Sequence, residues 1–297
     1  MSIPVIIDGK KYAQIVKDHI KKWISRDLSC TPRLAIITFG DDDASKVYVR
    51  NKLKAAAEVG IEAKNFRFTF DEYCNGIFDE DFEHICKVSD GIILQLPVPS
   101  WVNESDIINK IPPEKDVDGL GTVQKGRLAS HPLDAYIPCT PAGILELLGE
   151  YIDMNSYRGK HAVIIGRSQL VGKPLATLLL EEDLTVTVCH SKTENLKKYT
   201  QDADILITAA GKCNLITKDM VKKGAVVIDV SINRDENGNL CGDVDFENVA
   251  PKCAAITPVP GGVGPMTVAM LMFNTYLAAK DKEYYHWDGK IKREITE

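Results

Sequence analysis

No apolar run in the 297 residues approaches the ~20 needed to cross a bilayer. The opening Ile3-Pro-Val-Ile-Ile-Asp-Gly9 is too short for a signal-peptide core and lacks a basic start, so a cytoplasmic protein without a membrane partner is expected. An excess of positive charge is missing as well. With 36 Lys and Arg against 42 Asp and Glu, the formal net charge is −6, which argues against a nucleic-acid partner. There is no Cys-x-x-Cys pair. The eight cysteines (30, 74, 86, 139, 189, 213, 241 and 253) are scattered, so neither a metal site nor a disulfide framework follows from their spacing. Small buried hydrophobes are the expectation for most of them. Internal repeats and low-complexity tracts are also lacking.

What remains is ample material for buried cores: 44% of residues are hydrophobic and 26% charged. The length is about twice that of a typical domain, which suggests two. In the second half, short Val- and Ile-rich runs (161–165, 184–189, 204–209, 225–230, 254–257) alternate with helix-like segments at 174–182, 195–200 and 217–223. Near-continuous apolar strands between helices predict a parallel sheet covered on both faces. The first half is less regular. Strands are expected at 34–39, 63–70 and 91–96, and helices at 11–27, 43–59 and 79–88. Gly60 stands where a left-handed terminator belongs. Residues 110–141 carry five prolines and read as an irregular functional loop leading into a helix at 142–151; a last apolar helix is expected at 266–280. The fold class is therefore α/β with two domains.

Val163-Ile-Ile-Gly166-Arg-Ser168-Gln-Leu-Val171-Gly172-Lys-Pro174 reads as strand, tight turn and helix start. Dinucleotide folds set a pyrophosphate there, on backbone N–H groups at the positive end of the helix. The Gly-x-Gly-x-x-Gly pattern is imperfect: Ser168 holds the second position, Val171 the third, and Gly172 comes one residue late. Inside a βαβ rhythm, a cofactor turn is nevertheless the better reading than a plain helix–sheet contact, which places a dinucleotide-binding domain over about 160–260. An NAD site usually ends its second strand on an acid. Here that strand ends Cys189-His-Ser191-Lys192, and Ser191, Lys192 and Arg167 suit a 2′-phosphate, so NADP is expected over NAD. A solvated loop is the bland alternative.

On the helix from Asp43, Ser45, Tyr48 and Lys52 share one face. A Tyr-x-x-x-Lys pair also occurs in short-chain dehydrogenases, but there it lies downstream of the glycine turn, and here it lies more than a hundred residues upstream. Lys52 alone would be one solvated lysine among several. Three other segments raise it above that: the strand Asp90–Pro99 delivering Gln95 at its C-terminal end, the acidic turn Glu114-Lys-Asp-Val-Asp118-Gly, and the rigid loop Thr257-Pro-Val-Pro-Gly-Gly-Val-Gly-Pro-Met-Thr267.

Together these segments resemble the bifunctional methylenetetrahydrofolate dehydrogenase/cyclohydrolase family. The matches are Ser45-x-x-Tyr48-Val-x-x-Lys52, Gln95-Leu-Pro-x-Pro99, Lys115-Asp-Val-Asp118-Gly, Pro138-Cys-Thr-Pro-x-Gly143, Gly166-Arg-Ser-x-x-Val-Gly-Lys-Pro174, His190-Ser-x-Thr193, Gly242-Asp-Val-Asp-Phe246 and Thr257–Thr267, in family order over nearly the whole chain. The chain departs from the pattern after Asp118-Gly (Leu-Gly-Thr-Val-Gln-Lys-Gly), at Ser231-Ile-Asn233, where a glycine is usual, and at Ser100-Trp101, where a histidine often follows.

The resemblance implies a folate-binding catalytic domain from 1–141 with 266–297, a Rossmann-type NAD(P)-binding domain at 142–265, an active-site cleft between them, and a homodimer. It implies hydride transfer from 5,10-methylenetetrahydrofolate to NADP, then hydration of the methenyl product to 10-formyltetrahydrofolate. Lys52 corresponds to the catalytic lysine, Gln95 holds lysine and folate, Tyr48 meets the aminobenzoyl part, and Asp118 accepts from the pterin ring. Asp116 competes with Asp118, and either could instead cap the turn. Pro258, Gly261 and Gly262 are implied to contact substrate. Gly166, Arg167, Ser168, Ser191, Thr193, Ala210, Gly211 and Ile232 are implied to contact cofactor. A monofunctional dehydrogenase and a non-catalytic NADP- or folate-binding sensor are the alternatives; the intact Lys52 and Gln95 speak against the sensor.

Overall fold

The computed structural model of the chain describes residues 4–26 and 31–280. Its strands run, in chain order, β1 (Val5–Ile6), β2 (Arg33–Phe39), β3 (Glu62–Phe68), β4 (Gly91–Leu94), β5 (His161–Ile165), β6 (Thr185–Cys189), β7 (Ile205–Thr208), β8 (Val226–Asp229), β9 (Asn233–Arg234), β10 (Leu240–Cys241) and β11 (Ala255–Ile256). The chain divides into two compact units. One holds Gln14–Cys139 and the stretch from Val268; the other holds the stretch up to Ala13 and Thr140–Thr267.

In the first unit a parallel sheet of order β3-β2-β4 carries the core. Six of the seven β2 residues are buried, as its unbroken apolar run requires of a strand covered on both faces. The helix Asp43–Val59 is capped by Asp42, whose carboxylate accepts from the Ser45 N–H at 2.7 Å, and Gly60 ends it in the left-handed region as expected. Phe39, Phe68, Phe78 and Phe82 form an aromatic cluster beneath Trp101. The strand expected to reach Phe70 stops at Phe68. Thr69 and Glu72 form a reciprocal capping box, and that local pairing starts the helix Phe70–Cys74 instead. The segment expected to be irregular holds a nine-residue helix, Thr122–Ser130. The ends of the expected first helix at Asp27, and Cys30, lie outside the described residues.

The second unit is a six-stranded, all-parallel sheet of order β1-β11-β8-β7-β5-β6. From β5 the chain winds one way to β6 and the other way through β7, β8 and β11. The switch point therefore lies between β5 and β7, where doubly wound sheets receive ligands beyond the carboxyl ends of their strands. One boundary differs from expectation. The N-terminal segment belongs to this unit, because Val5-Ile-Ile7 extends the sheet: Val5 and Ile7 N–H groups donate to Ala254 and Ile256 carbonyls at 2.9 and 2.8 Å. The helix expected at 217–223 is a single 3-10 turn, Lys218–Met220; Thr217 bonds the Asp219 carboxylate, and Gly224 leaves the helical region at φ 80°. The antiparallel ribbon β9–β10 was not expected from the sequence. It brings Cys241 to Cys213, and the two form a disulfide with Cα atoms 5.9 Å apart, a link that their spacing did not announce.

Candidate functional site

In the first unit, Lys52 and Gln95 come together. Lys52 stands on the last turns of the helix Asp43–Val59, half-buried. Gln95 follows β4 and is buried, its N–H bonded to the Ile37 carbonyl at 2.9 Å. The Lys52 ammonium donates to Gln95 Oε1 at 3.0 Å, and the Gln95 amide group donates to the Leu96 carbonyl at 2.6 Å. One side chain thus uses its donor on its own backbone and turns its acceptor to the lysine. This fixes the ammonium in direction without cancelling its charge, because among the described residues Lys52 makes no ion pair. Tyr48, one turn earlier on the same face, is 51% exposed, its ring free to meet a ligand.

The two aspartates of the acidic turn separate cleanly. Asp116 is buried and accepts from the Gly121 and Leu120 N–H groups at 2.7 and 3.3 Å, so it is the turn-capping carboxylate. Burial pushes its carboxyl up to about 6 against the Gly121 N–H bond, and the Asp118 charge adds to the rise. Asp118 is half-buried and left for other work. It sits within electrostatic reach of buried Cys139, whose thiol is raised first by burial and then by the Asp118 carboxylate, with Lys52 acting in the opposite sense. Sequence reasoning missed Asn274, which is buried and donates to the carbonyls of Val117 (2.9 Å) and Ile137 (3.1 Å) beside Asp118 and Cys139.

In the second unit a pocket of about 530 Å³ opens where β5, β6 and β7 end. Gly166, Arg167, Ser168, Ser191, Thr193 and Ala210 line it, all expected; His190, Lys212, Leu196 and Leu215 join them and were not. Lys192 does not line it. Lys212, which no motif singled out, lines it instead. The glycine turn is explained by close approach. Gly166 lies at φ 128°, and a Cβ on it would sit 2.6 Å from the Ala209 carbonyl oxygen; a Cβ on Gly172 would collide with the Gly166 carbonyl. Gly172, one residue late in the pattern, therefore does the helix–strand packing of the absent third glycine. Ser168 Oγ accepts from the Val171 N–H at 3.1 Å and closes the turn, and Thr193 Oγ1 accepts from the His190 N–H at 2.9 Å.

No Asp or Glu lines this pocket, whereas Arg167, Lys212, His190, Ser168, Ser191 and Thr193 do. That donor set, with a backbone cradle that any Cβ would fill, fits a dinucleotide carrying an extra phosphate and lacks the acid that would pair a free ribose diol. Gly211 and Ile232 stand outside the lining. Gly211 turns away at φ 70° with its N–H on Ser231 Oγ (3.1 Å), and Ile232 lies with Pro258, Gly261 and Gly262 around a depression of about 10 Å³. The Lys10 N–H bonds the Gly261 carbonyl at 2.9 Å, so the N-terminal segment braces that loop.

A doubly wound sheet with an acid-free pocket at its switch point, and a second α/β unit presenting a glutamine-held lysine, define a two-domain α/β enzyme of the dinucleotide-dependent kind. The chain belongs to the tetrahydrofolate dehydrogenase/cyclohydrolase family. Residues 7–118 match that family's catalytic domain and residues 138–283 its NAD(P)-binding domain. The bifunctional protein FolD of Campylobacter hominis is 50% identical over 282 residues, covering 93% of this chain and 98% of its own; that of Bacillus subtilis is 45% identical, covering 93% and 97%. Among solved structures, the Campylobacter jejuni bifunctional enzyme FolD superposes with a TM-score of 0.86 at 41% identity, covering 94% of this chain and 99% of that one. The Trypanosoma brucei dehydrogenase-cyclohydrolase, complexed with NADP cofactor and inhibitor, gives 0.87 at 34%, covering 96% and 100%.

Proposed function

We propose that the chain is a bifunctional enzyme that oxidises 5,10-methylenetetrahydrofolate with NADP and hydrolyses the methenyl product to 10-formyltetrahydrofolate. The observation that carries the reading is the 3.0 Å bond from Lys52 to Gln95 in a chain that matches both domains of the family. A sensor needs a pocket but no oriented amine, and a dehydrogenase alone needs no proton handling at the folate carbon.

NADP, when bound, supplies the acceptor for the hydride that leaves the methylene carbon. Gly166, Arg167, Ser168, Ser191, Thr193 and Ala210 are the residues that would hold it, with Arg167 and Ser191 suited to the 2′-phosphate. Hydride loss leaves a cationic methenyl bridge. In the hydration step Lys52 acts as the base that takes one proton from the water whose oxygen bonds to that carbon and passes it to solvent; the carbon–nitrogen bond of the ring then breaks as the new hydroxyl becomes the formyl carbonyl, its proton going to the released nitrogen. Gln95 keeps the amine aimed, Tyr48 meets the aminobenzoyl ring, Asp118 accepts from the pterin N–H donors, and the Pro258–Gly262 backbone receives a flat ligand. No helix is long and apolar enough to cross a membrane among the described residues, which accords with a cytoplasmic folate enzyme; a homodimer is the assembly proposed with it.

Following NADPH formation and then the decay of methenyltetrahydrofolate tests the whole reading. Lys52→Met should abolish the second signal while NADP binding persists. Full hydration activity in that variant would remove Lys52 from the mechanism.

A further inference from the structure

The Gly242-Asp-Val-Asp-Phe246 stretch matched the family without any role following from its residue types. In the structure Asp243 is 0% exposed and makes no part of the pocket lining, yet five donors converge on its carboxylate. Oδ2 accepts from the Thr208 hydroxyl (2.7 Å), the Ala210 N–H (2.6 Å) and the Ser231 hydroxyl (2.8 Å). Oδ1 accepts from the Lys212 N–H (2.7 Å) and the Asn233 amide (3.0 Å). One of these donors, Thr208, ends β7, two lie on the segment after it, and two on the segment after β8.

Those are the segments that hold the residues implied to contact cofactor but left without support of their own. Ala210 and Lys212 line the pocket, Gly211 donates to the same Ser231 hydroxyl that Asp243 engages, and Ile232 lies between two residues bonded to Asp243. The anchor is itself anchored. The Asp229 carboxylate, at the end of β8, accepts from the Asp243 N–H (3.1 Å) and the Val244 N–H (2.8 Å), and a Cβ on Gly242 would collide with it, so glycine is required beside the aspartate. A carboxylate offers only acceptor sites, so both oxygens can face donors throughout, with three donors sharing Oδ2 and two meeting Oδ1. Burial pushes the Asp243 carboxyl up, but the Ala210, Thr208, Ser231 and Lys212 donors outweigh burial and hold it below the ordinary range, charged.

We propose that Asp243 is the positioning residue of the cofactor pocket, fastening the 208–212 and 231–233 segments into one wall so that NADP meets a preformed surface. The proposal rests on the pocket being the NADP site. Asp243→Asn keeps the size, but it replaces one acceptor oxygen with an NH₂ facing N–H and O–H donors, so the wall loses its fixed form.

The test uses the full chain and three readouts: calorimetric Kd for NADP, dehydrogenase KM and kcat, and hydrolysis of methenyltetrahydrofolate without cofactor. For Asp243→Asn the expected result is a Kd and a KM for NADP raised tenfold or more, a smaller change in kcat, and hydrolysis within about twofold of the parent. Unchanged NADP affinity, or an equal loss of both activities, overturns the proposal. Should that variant fail to fold, Ser231→Ala removes one donor to Asp243 and the acceptor of the Gly211 N–H; it should weaken NADP binding several-fold with hydrolysis intact, and unchanged binding overturns the proposal equally. If the parent protein itself bound no NADP while hydrolysing methenyltetrahydrofolate, the reading of the pocket would fail rather than the role of Asp243 within it.

Discussion

A methyl group on Gly172 would share space with the Gly166 carbonyl oxygen, and neither backbone can give way without moving the turn off the end of β5. Gly172→Ala should therefore cost about 1–3 kcal/mol of stability by overpacking and weaken NADP binding, with methenyl hydrolysis retained; a thermal melt and an NADP titration measure both. An alanine variant with parental Tm and affinity would show that the late glycine is incidental. At this scale the sequence was legible where chemistry and spacing coincide, as at Lys52 and Gln95. It was ambiguous where two like residues stand two apart. Asp116 and Asp118 differ by burial and by which N–H groups face them, and those are set by the Gly119–Gly121 turn rather than by residue type. Lys212 carried no sequence signal for the same reason: whether a lysine lines a pocket depends on the loop carrying it.

The last helix, Val263–Ala279, is apolar almost all round and buried along most of its length, which is the behaviour of a buried helix and explains why its extent was nearly right from pattern alone. Its one buried amide was invisible as a functional signal, because an Asn in an apolar run could equally be a core residue paired anywhere. In place, Asn274 satisfies two carbonyls that flank the Asp118 turn. Asn274→Leu keeps the branched shape but removes the amide donor from both carbonyls, leaving Val117 only the 3.6 Å Cys139 thiol, at about 1–3 kcal/mol in all. The expected signature is a lowered Tm with the KM for folate raised and the Kd for NADP unchanged; an unchanged folate KM would reduce Asn274 to a packing residue. Elements fixed by local pairing were the ones misjudged. The Thr69–Glu72 capping box ended β3 early, and the Thr217–Asp219 bond with Gly224 limited a predicted helix to one turn. Sheet order and the transfer of β1 to the second unit depend on long-range pairing that no local pattern encodes.

Over the whole molecule two sets of carboxyls pull stability in opposite directions with pH. Asp229 is pushed up to about 7 by burial, against the Val244 and Asp243 N–H bonds and helped by the Asp243 charge; Asp116 rises to about 6. A carboxyl raised in the folded state binds its proton more tightly there than in the unfolded chain. Its contribution is therefore complete below the ordinary carboxylate value and is lost as pH climbs through about 6 and then about 7. Exposed Asp219 has the other sign. Lys197, then Thr217, hold it down to about 2, so its contribution is present at neutral pH and is lost as pH falls toward that value. Between about pH 5 and about pH 8 the two raised carboxyls therefore lose their contribution, and for Asp229 the effect is on the order of a few kcal/mol. Tm measured by calorimetry should thus be highest near about pH 5 and fall steadily toward about pH 8. Asp229→Asn is expected to melt lower throughout, because its amide meets the Val244 N–H, yet with a shallower decline, since the titrating group is gone. A parental Tm that is flat or rising across that interval, or a variant that keeps the full slope, would show that these carboxyls do not govern the acid–base stability of the fold.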